Sequence, residues 1–253
     1  MATLDVITYG FGLNTDQGSF GYSTVSLINV GNHNILIDTG PSSRRSFLHR
    51  ALQSRDLSTD DIDIVVLTHM HWDHCQNTDL FRNARVLVNP AEIDYARNPN
   101  RWDLAVAAGM ADMMRNMKVE PVSEGDTIVD GVTVMETPGH TKGHLSLLAD
   151  IDGEKVLIAG DALPDSGSIP RGLPYNVFWD VEDAQQSVEK MVSSSNVIYP
   201  GHDRPFRIEG DEVTYLHGPA NIEVMNSTEG GATASLTFTV SPKRQVNVDI
   251  VQK

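Results

Sequence analysis

The chain has 253 residues, enough for a sizeable core in one large domain, with or without an appendage. Its 19 Lys and Arg against 34 Asp and Glu give a formal net charge of -15, which repels phosphate backbones and argues against a nucleic-acid partner. A single cysteine excludes an internal disulfide and restricts any metal site to histidine and carboxylate ligands; with no basic leader and no run of about 18 apolar residues, a cytoplasmic protein off the membrane is expected.

In chain order, Leu4–Gly10, Tyr22–Val30 and His33–Gly40 read as strands, the last two joined by a Gly31-Asn32 turn. Residues 43–57 carry Phe47, Leu48, Ala51 and Leu52 at helical spacing, and the apolar run Ile62–Thr68 reads as a buried strand. A strand is expected over 84–88. The stretch 90–118, rich in Ala, Met, Asp and Arg, reads as helical and as a cap near a site. Strands return over 127–137 around an Asp130-Gly131 turn, then at 144–151 and 155–161, before a helix over Val181–Ser193 and a run leading into His202. Strands with helices outside them predict an α/β sandwich. Residues 1–206 would form the main domain. The remainder, 207–253, contains alternating runs at 234–241 and 245–251 and would be a β-rich extension packing on that domain or on another subunit of a homodimer.

The run from Thr68 to Cys75, THMHWDHC, follows a buried strand with three histidines and an aspartate. Further residues of ligand type recur just beyond strand-like runs: His140, Asp161 and His202. Strand ends converging on one sheet edge would gather them. Neutral imidazole and carboxylate suit Zn2+, Mn2+ or Fe2+, and this many donors exceed what one ion takes. His69, His71 and His140 would hold one divalent ion and Asp73, His74 and His202 the other, with Asp161 bridging. A water shared by two such cations ionises near neutral pH, so a hydrolase is expected. Single histidines such as His33, His49 and His217 are expected to be structural, His144 to support the loop, Cys75 to be inert, and the methionines at 110–117 to be mainly core.

THMHWDH, TPGHTKGH, AGD and YPGH, in that order and each after a strand, resemble the metallo-β-lactamase superfamily over about residues 20–206. The resemblance implies an αββα sandwich with a dinuclear site at one edge of its two sheets, and for Asp38 of LIDTG a supporting position beside the metals. His71 stands where oxygen-reducing diiron members carry glutamate, and Asp161 where many true β-lactamases carry cysteine. The acidic surface disfavours an RNase Z role, and the strand-like tail differs from the helical tail of glyoxalase II. Gln76 replaces a glycine common in the family. A small ester or lactone substrate, N-acyl homoserine lactone in kind, is therefore expected; a glyoxalase II-type thioesterase, a β-lactamase, a phosphodiesterase or a non-catalytic metal-binding protein are the alternatives. Asp73 would move a proton to the leaving oxygen, and Tyr175 would hold the carbonyl oxygen or simply pack. The segments 90–117 and 166–179, with Trp102, the methionines, Phe178 and Trp179, are expected to wall the cleft.

Overall fold

The structure, a computed structural model, describes residues 2–15, 18–210 and 212–218. In chain order its elements are β1 (Ala2–Thr8), the hairpin β2 (Asn14–Thr15) and β3 (Gly18–Ser19), β4 (Val25–Val30), β5 (His33–Ile37), α1 (Arg45–Gln53), β6 (Ile64–Val66) and the single turn α2 (Trp72–Cys75). They continue with β7 (Arg85–Val88), α3 (Pro90–Arg97), α4 (Met110–Met113), β8 (Lys118–Pro121), β9 (Thr127–Val129) and β10 (Val132–Glu136). Last come β11 (Leu145–Ile151), β12 (Glu154–Gly160), α5 (Ser168–Arg171), α6 (Val181–Ser194), β13 (Val197–Pro200), β14 (Phe206–Glu209) and β15 (Glu212–Tyr215).

Two sheets result, one in the order β1-β4-β5-β6-β7-β8 and the other in the order β15-β14-β13-β12-β11-β10-β9. Their central strands are apolar on both faces, and the two-residue side-chain period sorts those faces. Ile35, Ile37, Ile64, Val66 and Leu87 point between the sheets, where they meet Val132, Val134, Leu145, Leu147 and Ile158. Leu36, Val65, Val86 and Val88 point the other way, onto Leu48 and Leu52 of α1 and Met110 and Met114 of the α4 region. On the far side of the second sheet, α6 buries Ala184, Ser187, Val188 and Met191, a single face at helical spacing. Its start is set by Asp180, whose side chain accepts the Asp183 N–H. Helix, sheet, sheet, helix is the αββα order expected.

The topology also decides where the loops go. Strands β5, β6, β7 and β8 run parallel, so β5 and β6 both end at the same edge of the first sheet. In the second sheet β10 is antiparallel to β11, β11 antiparallel to β12, and β12 parallel to β13, so β10, β12 and β13 end together. The Leu145 N–H donates to the Thr68 carbonyl at 2.9 Å and fastens the two edges to each other.

One expectation fails. Residues 90–118 are not one helical stretch: α3 stops at Arg97, residues 98–109 are irregular, and 118–121 form β8. Pro99 disfavours helical backbone at Asn98, and Gly109 takes φ +74°, a left-handed conformation that interrupts a helix. The released backbone pairs elsewhere. Trp72 N–H donates to Ala105 O at 2.8 Å and Ala107 N–H to Met70 O at 3.2 Å, so this loop forms a short bridge to the histidine-rich run. Residues 207–209 and 212–215, expected in the extension, belong to β14 and β15 at the edge of the second sheet. The runs at 234–241 and 245–251 lie outside the described residues. Among the described residues no helix is long and apolar enough to cross a membrane.

Candidate metal centre

The loops after β6, β10, β12 and β13 deliver the seven expected side chains to one place. Donor atoms of His69, His71, His140 and Asp161 lie within 4.8 Å of one another, and those of Asp73, His74 and His202 form a second such group. Asp161 touches both: its Oδ1 is 3.3 Å from His74 Nε2, and its Oδ2 is 3.2 Å from His202 Nε2 and 3.5 Å from His140 Nε2. Asp73 Oδ2 lies 3.3 Å from His202 Nε2.

Each imidazole is oriented by an acceptor on its outer nitrogen. Asp38 Oδ2 accepts His74 Nδ1–H at 2.7 Å, and the Asn176 carbonyl accepts His140 Nδ1–H at 2.9 Å. Thr68 gives its hydroxyl proton to Asp38, so its oxygen accepts His69 Nδ1–H at 3.0 Å. Asp103 Oδ2 accepts His71 Nε2–H at 3.0 Å, and the Phe11 carbonyl faces His202 Nδ1 at 3.4 Å. The inward nitrogens are therefore Nε2 of His69, His74, His140 and His202 and Nδ1 of His71.

This donor set fits cations. His69 Nε2, His74 Nε2 and Asp161 Oδ1 are buried with no hydrogen-bond partner, each a loss of about 1–3 kcal/mol if left so. His71 Nδ1 and His140 Nε2 face each other at 3.1 Å with both outer protons already committed, so their lone pairs oppose unless a proton or a cation lies between. Burial, and then the neighbouring His71, push His140 down to about 4, and burial with the surrounding imidazoles pushes His69 well below its ordinary value. Both are thereby kept in the neutral form, whose lone pair is open to a cation. Burial opposes ionisation of Asp161, but His202 and His74 outweigh it and hold the carboxyl well below the usual range. No lysine or arginine is among the described residues lining the cleft above these groups.

A further shell of buried groups holds the loops. Asp38, in left-handed backbone at φ 60°, also accepts the Thr68 N–H at 2.8 Å. His144 Nε2 accepts Asp161 N–H at 3.0 Å and Ala162 N–H at 3.3 Å, so its Nδ1 proton goes to Thr137 Oγ1. It supports the loop, as expected. Three contributors escaped the sequence reading. Glu92 accepts Met70 N–H at 2.9 Å, Thr141 Oγ1–H at 2.8 Å and Gly143 N–H at 3.0 Å, joining the loops that carry His69, His71 and His140. A Cβ on Gly143 would meet Glu92 N at 2.1 Å, which accounts for the glycine of TKGH. Asp103, which also accepts the Tyr95 hydroxyl at 2.8 Å, is the second, and the wall contributed by Gly12, Asn14, Ser19 and Gly21 the third. An acid in the first turn of a helix and an acid in a polar loop are ordinary, so nothing in their spacing marks either carboxylate.

The cleft, about 480 Å³, is lined by His71, Asp73, His140, Asp161 and His202, by Trp72, Tyr175 and Phe178, and by Gly12, Asn14, Ser19 and Gly21 around the β2–β3 hairpin. Phe178 stands edge-on to His71 and His140, with centroids 5.4 and 5.5 Å away. Tyr175 is buried, its ring 6.4 Å from that of His202. Three expected wall components are elsewhere, the first being Trp102, which is exposed and is not among the residues lining the cleft. Trp179 packs edge-on to Tyr95 under Lys142 and does not reach the cleft, and Met110 and Met114 belong to the core over the first sheet, because the irregular 98–109 backbone turns α4 onto that sheet. From 90–117 it is Ala105 that reaches the cleft wall. Cys75 is buried and its thiol pushed well up by burial, then by Asp38, which leaves it unreactive.

Comparison with known proteins gives a consistent picture. The model of the metallo-beta-lactamase superfamily matches residues 18–202. Metallo-beta-lactamase domain-containing protein 1 of Xenopus laevis is 33% identical over 178 residues, 69% of this chain and 68% of that protein. An N-acyl homoserine lactonase of a Bacillus species is 29% identical over 152 residues, 57% of each chain. Among solved structures, an N-acyl homoserine lactone hydrolase with the product N-hexanoyl-L-homoserine at its catalytic metal centre superposes with a TM-score of 0.65 at 20% identity, covering 80% of this chain and 92% of that one.

Proposed function

Since the chain belongs to the metallo-β-lactamase superfamily and is a metallo-hydrolase of it, we propose that it opens a small lactone or ester, N-acyl homoserine lactone in kind, with two divalent cations, Zn2+ first among them. The observation that carries this reading is the character of the cleft: apolar Trp72, Tyr175 and Phe178 beside a carboxylate-and-imidazole floor, with no lysine or arginine among the described residues of the lining to pair with a phosphate. An acyl group suits those rings, and a carbonyl suits the floor.

His69, His71 and His140 would hold one cation, Asp73, His74 and His202 the other, and Asp161 both. Such cations supply Lewis acidity and bring the ionisation of water near neutral pH. The chain's own residues do the rest. Phe178 covers the His71 and His140 rings and keeps bulk water from that side of the cleft. The Tyr175 hydroxyl donates to the substrate carbonyl oxygen as charge builds there. The Asp73 carboxyl, on the cleft floor, takes the proton that the attacking water gives up and passes it to the departing oxygen, so that it leaves as an alcohol.

The test is metal analysis of the purified protein followed by a panel of lactones, esters, thioesters, phosphodiesters and β-lactams. About two divalent ions per chain are expected, because seven donors exceed one tetrahedral shell. Lactone or ester turnover should disappear with a chelator and return with Zn2+ or Mn2+. Protein that is folded, metal-free after growth with ample metal, and inert to the panel would refute the reading.

A further inference from the structure

Among the inward-facing imidazoles, His71 differs from the rest in offering Nδ1 where the others offer Nε2. A histidine tautomer is set by whatever its other nitrogen donates to. For His71 that acceptor comes from the 98–109 loop: Asp103, buried at 4% exposure, which the turn of chain after Pro99 brings over the ring. The carboxylate is itself fully engaged. Its Oδ2 accepts both His71 Nε2–H at 3.0 Å and the Tyr95 hydroxyl at 2.8 Å, and its Oδ1 accepts Ala105 N–H at 3.1 Å. Ala105 in turn lines the cleft, and its carbonyl accepts the N–H of Trp72, the residue between His71 and Asp73.

We infer that Asp103 is a positioning residue that commits His71 to ligation through Nδ1 and fastens the Ala105 wall of the cleft to the same ring. With Asp103 present, the proton stays on Nε2, and Nδ1 is aimed at His140 Nε2, 3.1 Å away, and the space that a cation would share. Without it, His71 loses its acceptor, and the ring is free to carry its proton on Nδ1, where it blocks that space. Tyr95 steadies the carboxylate from α3 and prevents it from swinging off the ring. Ligand geometry and cleft wall are thus governed by one side chain from an element that supplies no ligand.

The inference rests on the seven groups being a metal centre, and the experiment separates the two claims. Chelator-treated wild type, D103A, D103N and Y95F are titrated with Zn2+ against a chromophoric competitor, and the ring nitrogens of 15N-histidine-labelled, Zn2+-loaded wild type are assigned. D103A should bind the first ion about 10- to 100-fold more weakly, the usual loss when a metal-bound histidine loses its outer partner. D103N, whose amide oxygen can occupy the Oδ2 position while its NH2 opposes Ala105 N–H, should fall between D103A and wild type, and Y95F should lose less than D103A. The spectrum should show His71 protonated at Nε2 and metal-shifted at Nδ1, a readout that a mere loss of packing would not alter. Folded D103A with wild-type affinity overturns the inference, as does a spectrum with His71 bound through Nε2. Should D103A fail to fold, D103N and the wild-type spectrum decide. Wild type that takes up no Zn2+ refutes the metal centre itself and the inference with it.

Discussion

The two ligand groups are held differently. In the first, His69, His71 and His140 each meet an outer acceptor at 2.9–3.0 Å, and Phe178 covers two of the rings. In the second, His74 is tied to Asp38 at 2.7 Å, but His202 meets the Phe11 carbonyl at 3.4 Å. Asp73 sits 3.9 Å from its neighbour His74. One group is built on β6, β10 and the loop that carries Asp103, whereas the other leans on the chain just before the β2–β3 hairpin, at the open side of the cleft. The difference teaches that one site can combine a rigid half with a looser one. A donor already aimed loses little freedom when it binds, and a donor that must still be ordered binds more weakly by that cost.

Asp161 is the residue the two halves share, and its loss should have the largest effect. D161A is expected to retain less than about one ion per chain and to lose roughly a thousandfold or more in kcat/KM, since several kcal/mol of charge stabilisation go with it. Measured by metal analysis and steady-state kinetics, unchanged turnover would detach Asp161 from both halves. Next comes Tyr175, beside the looser half. Y175F should lower kcat about a hundredfold, the scale for one oxyanion donor, with metal content intact; wild-type kcat would leave this tyrosine to packing.

The comparison is sharpened most directly by stepwise chelation. Wild type should release metal in two steps, the weaker by about tenfold or more, a difference of the size that outer partners confer. H202A should lack the weaker step and H71A the tighter one. A single step in wild type would erase the distinction between the halves. The smallest effect belongs to Phe178, over the rigid half. F178A should alter the ratio of rates on short and long acyl substrates by roughly tenfold, the scale of one or two methylenes in an apolar pocket, at unchanged metal content. Selectivity equal to wild type would place the acyl group elsewhere.

Much of this molecule is legible from its residues because the relevant chemistry is local. The apolar runs that became β5, β6, β10, β12 and β13 carry both the strand signal and, at their ends, the donors. The parity of Ile35, Leu36 and Ile37 sorts the two faces of a strand before any fold is known. The misreading of 98–109 has an equally local origin: the Ala- and Met-rich composition of 90–118 favours a helix, and that composition hides the breakers Pro99 and Gly109. What composition could not reveal is that this backbone finds its partners on Met70 and Trp72.

The sequence alone determined which atoms are available to a cation and in what order along the chain they appear, because donor type is a property of the residue and the strand before it. Tertiary structure decided which nitrogen each histidine presents, which walls face the substrate and which acids are buried. Asp103 reaches His71 across 32 residues of chain and Glu92 reaches Gly143 across 51. A tautomer depends on an acceptor within about 3 Å, and only folding brings such an acceptor there.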